Sequence, residues 1–154
     1  SLSPENIALS IAGKKNKAIQ EQLGSQWTQH VLIAADTIVV LNNQIIGKPL
    51  NRDAAIDTLH QLAGNTHQVI TAVDIRSDQH TTAFCDHTLV EFHPMTTDQI
   101  THYVDTYKPY DKAGAYAIQE WIGVVGIKQI IGDFYNVMGL PISRVLQALK
   151  QSHL

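Results

Sequence analysis

An aspartate stands in the middle of the run VLIAADTIVVLNNQIIGKP, Val31–Pro49, which otherwise has the composition of a buried strand. Side chains alternate along a strand, so Asp36 shares a face with Leu32, Ala34, Ile38 and Val40. An ionised carboxylate on such a face is costly unless a cation, a metal or several donors meet it. Asp36 is therefore either a structural acid satisfied by backbone N–H groups or a functional one. Two lysines bear on the choice. If Asn42 and Asn43 form a two-residue turn, the returning chain sets Lys48 opposite Thr37 and beside Asp36. Lys15 follows Ile7 and Ile11, and precedes Ile19 and Leu23, at intervals of four on a predicted helix. That spacing puts its ammonium on or beside a buried stripe, where a lysine stem covering apolar surface is the plainer alternative.

A third candidate is DKAGAYAIQE, Asp111–Glu120. Small residues beside the Asp111–Lys112 pair let backbone approach a ligand closely, although such a pair also suits an ordinary surface turn. Gln119 carries both a donor and an acceptor, which suits the imide edge of a pyrimidine base. Lysines with a carboxylate fit a polyphosphate ligand. The lysines would neutralise phosphate oxygens, and the carboxylate would hold Mg²⁺, position a water, or both. Neither GxxxxGK[ST] nor GxGxxG occurs, so the common nucleotide-binding loops are excluded and a dinucleotide redox enzyme is a distant alternative.

These residues need elements to hold them. SPENIALSIAGKKNKAIQEQLG is expected to be a helix, with Ser3 as N-cap, Pro4 at the first position and Gly24 at its C-terminal end. VLIAADTIVV, apolar on both faces, is expected as a strand covered on both sides, followed by a turn into IIGK. RDAAIDTLHQLAG is predicted helical; HQVITAVDI and TTAFCDHTLVEF are predicted strands joined near RSDQH. TTDQITHYVDTY has a capped start and an apolar face of Ile100, Tyr103, Val104 and Tyr107. KPYDKAGAYAIQ is expected as a loop, WIGVVGIKQIIGD as a glycine-interrupted strand and LPISRVLQALK as a closing helix. Helices and strands alternate, which predicts one α/β domain with a mixed central sheet flanked by helices.

Composition narrows the function. A chain of 154 residues suits a single domain over 1–154. A net charge of −3 offers no basic field for nucleic acid, and no apolar run approaches the ~18 residues of a membrane span. Cys85 is alone, so the expected setting is reducing and cytoplasmic. His80, Cys85, His87 and His93 match no zinc spacing, and no zinc is assigned.

The ordered set AADT, GKP, LAGNTHQVITAV, DKAGAYAIQ and GDFYNVMGLP resembles the Maf family of nucleoside triphosphate pyrophosphatases. These are house-cleaning enzymes once described as septum-formation inhibitors. The resemblance implies an α/β Maf/ITPase-like fold, a nucleoside triphosphate substrate, a divalent cation (Mg²⁺ or Mn²⁺) and often a homodimer. It implies that Asp36 is the catalytic acid and metal-site residue, that Lys48 and Lys15 are catalytic, and that Thr37 bears on substrate choice. Gln119 falls where the dTTP/UTP branch carries glutamine and the branch acting on methylated GTP tends to carry glutamate. Glu120 stands where the family usually has glycine. Family members begin with a strand and an S-x-S-P-R-R loop whose serine and arginines grip the triphosphate. The chain starts at the following helix, so that strand and loop are expected to be missing from it. The expected reaction is hydrolysis of dTTP or UTP to the monophosphate and pyrophosphate. A non-catalytic nucleotide-binding or septum-regulating protein is the alternative.

Overall fold

Asn42 and Asn43 both take positive φ, 50° and 62°, the left-handed geometry of the two-residue turn whose twist matches a hairpin. They join β1 (Leu32–Leu41) to β2 (Gln44–Ile46), with Leu41 opposite Gln44 and Val39 opposite Ile46. The expected register is observed, but the ladder ends at Ile46, so Gly47 and Lys48 leave the sheet before reaching Asp36. This computed structural model describes residues 2–153.

The sheet has the order β2-β1-β3-β4-β5, with β3 (Thr66–Arg76), β4 (Thr81–Phe92) and β5 (Ile127–Ile131). Every pairing among the described residues is antiparallel, which corrects the expected mixed sheet. Alternation misled because α2 (Arg52–Leu62) carries the chain over β1. β3 thus runs in the direction of β2 but pairs with β1, beyond it. The four residues between β3 and β4 permit only a hairpin.

α1 (Pro4–Leu23) covers one face. Ser3 accepts from the backbone N–H of Asn6, Pro4 opens the helix and Gly24 follows its end, as expected. Its buried positions are Ala8, Ala12 and Asn16 rather than the Ile7–Leu23 stripe, which lies on the shoulder. Small side chains there bring the helix close to Ile38, Val40, Ile70 and Ala72. Asn16 Nδ2 donates to Asp74 Oδ1 and to the Asp74 carbonyl, both at 2.7 Å, fixing the helix on β3.

The opposite face has two covers. α2 and α3 (Thr97–Tyr107, opened by the Thr96–Gln99 capping box) bury Leu59, Leu62, Ile100 and Tyr103 against Val39, Val69 and Phe92. Further along, α6 (Ile142–Gln151) sets Val145 on Val73 and Ile75, while α5 (Phe134–Met138) lies over the middle of β3. A second correction concerns WIGVVGIKQIIGD. Its first half is a short helix, α4 (Trp121–Val125), and only Ile127–Ile131 extends as β5. No described helix is long and apolar enough to cross a membrane.

Candidate active site

β2 pairs with β1 only over Val39–Leu41. Where that pairing stops, a cleft of about 300 Å³ opens between the 111–119 segment, α5 and the centre of β1. All seven expected site residues line it: Lys15, Asp36, Thr37, Lys48, Asp111, Lys112 and Gln119.

Asp36 comes from mid-β1 on the α1 side of the sheet. Its carboxylate is largely buried, and its partner is Lys15, whose Nζ lies 2.8 Å from Oδ1. The same ammonium donates to the carbonyl oxygen of Ala35 at 2.8 Å. Two of the three N–H donors of Lys15 are thus committed, and one is left for a ligand. The geometry resolves the cost of a charged group in this strand: the acid is paired, and the lysine stem lies along the helix shoulder.

Lys48 shares the cleft but makes no ion pair with Asp36, which departs from the cross-strand proximity expected of it. It is exposed and has no hydrogen-bond partner among the described residues. Asp111 and Lys112 are 3.7 Å apart at the far wall. Gln119 is exposed, with neither side-chain donor nor acceptor used among the described residues. The cleft thus presents three ammonium groups against two carboxylates, which favours an anionic guest.

Sequence reasoning gave no role to the layer behind the lining. Tyr116, which lines the cleft, meets the fully buried His67 with its hydroxyl 2.6 Å from Nε2. Burial pushes the imidazole down to about 4 and raises the Tyr116 phenol. Tyr103 receives the backbone N–H of Ala117 at 3.1 Å and donates to Glu120 at 2.8 Å. Glu120 therefore braces the segment that presents Gln119. Val137, Met138 and Gly139 form the remaining wall, held by Asn136, which is fully buried. The motif GDFYNVMG was visible in the sequence, but its contacts span 48 to 67 residues and have no local signal.

A divalent cation would find one well-placed carboxylate. Asp36 Oδ2 accepts no hydrogen bond, and no three His, Cys, Asp or Glu side chains are grouped to cage an ion among the described residues. That donor set fits a hard cation carried in on phosphate oxygens with several waters retained, and does not fit a resident protein cage.

The same sequence finds relatives over almost all of its length. A dTTP/UTP pyrophosphatase of Porphyromonas gingivalis is 43% identical over 149 residues, covering 97% of this chain and 74% of the relative. One from Bacteroides fragilis is 45% identical over 150 residues, 97% of this chain and 76% of the relative. One from Cytophaga hutchinsonii is 49% identical over 150 residues, 97% and 67% respectively. The family model described as Maf-like protein matches residues 1–152, and on that match the chain belongs to the Maf-like family.

Proposed function

We propose that the chain is a nucleoside triphosphate pyrophosphatase that hydrolyses dTTP and UTP to the monophosphate and pyrophosphate in the cytoplasm. The convergence of Asp36, Lys15, Lys48 and Gln119 on one cleft carries this reading. The relatives' names support the choice of dTTP and UTP. Asp36 would accept the proton of the attacking water as that water adds to the α-phosphorus. The bond from the α-phosphorus to the bridging oxygen breaks, and pyrophosphate leaves. Mg²⁺ or Mn²⁺ bound with the triphosphate would touch the free oxygen of Asp36 and neutralise phosphate charge. Lys15, through its remaining N–H, and Lys48 would stabilise the charge that builds on the leaving phosphates. Lys112, with Asp111 orienting it, would hold the far end of the triphosphate, and Gln119 and Thr37 would face the base.

The test is pyrophosphate release from dTTP and UTP with Mg²⁺ present. Asp36→Asn, which keeps an oxygen for Lys15, is expected to lower turnover about 10²- to 10⁴-fold without changing the fold. An unchanged rate in that variant removes Asp36 from the chemistry. Nucleotide binding without release in the parent protein favours the non-catalytic alternative.

A further inference from the structure

The surroundings of Thr37 fix which hydrogen-bonding character its hydroxyl can offer a guest. Thr37 Oγ1 lies 2.9 Å from Thr71 Oγ1 and 3.4 Å from the carbonyl oxygen of Gly139. Thr71, fully buried, has the carbonyl oxygen of Asn136 at 3.1 Å. A hydroxyl has one proton to donate, whereas a carbonyl only accepts. The two hydroxyl protons can fill two of these three contacts in two arrangements that keep a proton between the threonines, whereas turning the Thr37 proton to the cleft would fill only one. Thr71 donates to Asn136 while Thr37 donates to Thr71, or Thr71 donates to Thr37 while Thr37 donates to Gly139. In both, the proton of Thr37 stays inside the protein, and a lone pair faces the cleft.

The Asn136 end of this chain is itself held. Asn136 Nδ2 donates to Thr88 Oγ1 at 3.0 Å and lies 3.3 Å from the carbonyl oxygens of Val69 and Asp86. Thr88 in turn donates to the carbonyl oxygen of Asp133 at 3.0 Å. These bonds fasten α5 to β3 and β4 and so hold Asn136, whose carbonyl faces Thr71.

We propose that Thr71 and Asn136 are positioning residues that lock Thr37 as a hydrogen-bond acceptor, and that this acceptor selects a pyrimidine bearing an imide N–H. The inference rests on the pyrophosphatase reading and deepens it. Uracil and thymine both carry N3–H. Cytosine has a bare nitrogen at that position, an acceptor that would face the Thr37 lone pair with nothing between them. Gln119 cannot make this distinction alone, because turning its amide over exchanges donor for acceptor. A partner that cannot turn over is required, and rejection then comes from leaving polar groups unpaired.

The experiment compares kcat/KM for UTP and CTP in the parent, Thr71→Val, Thr71→Ser and Thr37→Val. Thr71→Val keeps the volume and leaves the Thr37 proton only the longer 3.4 Å contact to the Gly139 carbonyl, so it can turn to the guest. The UTP preference is expected to fall about tenfold or more, while Thr71→Ser keeps it. A purely structural Thr71 would lower stability and leave the ratio alone, and that result overturns the proposal. Should Thr71→Val fail to fold, Thr37→Val at the cleft wall decides: retention of the parent's UTP preference also overturns it. Binding of UMP against CMP to the same proteins gives a second readout. Equal affinity for the two in the parent overturns the lock even where pyrophosphate release is seen. Absence of release overturns the pyrophosphatase reading while the binding ratio still judges the lock.

Discussion

A carboxylate that sits largely out of water must either be matched or become neutral, and Asp36 is matched by a lysine that is itself half exposed. That asymmetry separates what the two lysines do. Lys15→Met keeps the stem but strips Asp36 of its partner. Turnover is expected to fall about 10²-fold, with stability lower by about 1 kcal/mol or less, because the ammonium end is solvated and screened. Lys48 pairs with nothing among the described residues, so Lys48→Met should leave the unfolding midpoint within about 0.5 kcal/mol of the parent while still raising KM for dTTP. Steady-state kinetics beside urea unfolding reads both quantities. Equal loss of stability in the two variants would contradict this division, and an unchanged KM in Lys48→Met would take that lysine away from the triphosphate.

At the scale of elements, α4 turns on a close approach. A Cβ at Gly123 would lie 1.7 Å from the carbonyl oxygen of Ile118, one residue before Gln119. Gly123→Ala must therefore push that segment off the helix, at a cost of about 3 kcal/mol, and should raise KM for dTTP as Gln119 moves. Denaturant unfolding and steady-state kinetics check it; a parent-like midpoint would mean the segment yields freely. The same helix shows where sequence reasoning fails. Trp121, Ile122, Val124 and Val125 favour extended backbone one by one, and the close approach of Gly123 to Ile118 in the helical turn has no signal in that pattern. Signals written into neighbouring residues survived: the Asn42–Asn43 turn, the Ser3–Pro4 start and the Thr96–Gln99 box. Strand direction did not, since apolar periodicity is identical in parallel and antiparallel strands once both faces are covered. The cleft lining was legible because charged and amide side chains are conspicuous among apolar neighbours. Asn16, Thr71 and Asn136 were not, because an ordinary polar residue becomes informative only when burial pairs it with distant backbone.

The whole molecule carries a pH dependence that begins in its core. His67, Phe92 and Tyr116 pack their rings with centroids 5.1 to 5.5 Å apart, joining β3, β4 and the segment that walls the cleft. Burial drops His67 from 6.5 to about 4, so the native state holds it neutral while the unfolded chain titrates it near 6.5. Between those values the unfolded state binds the extra proton, and stability rises with pH through the window. The contribution is complete above about pH 6.5. As acid is added it is lost progressively, and about 3 kcal/mol has gone by pH 4. Two carboxyls titrate lower. A backbone N–H lowers Glu5, and the hydrogen bond from Arg52 lowers Asp105, so their stabilisation is present above the ordinary carboxylate range and fades only below it. Urea unfolding of the parent between pH 7.5 and 4 should therefore show a slope that His67→Gln flattens, while the loss below pH 4 persists in both. Because Tyr116 ties this cluster to the cleft and the native state keeps His67 neutral down to about pH 4, affinity of the folded parent for UMP should hold through that interval and weaken only as His67 itself takes up a proton. A slope that survives in His67→Gln would place the titrating group elsewhere and separate the core from the cleft.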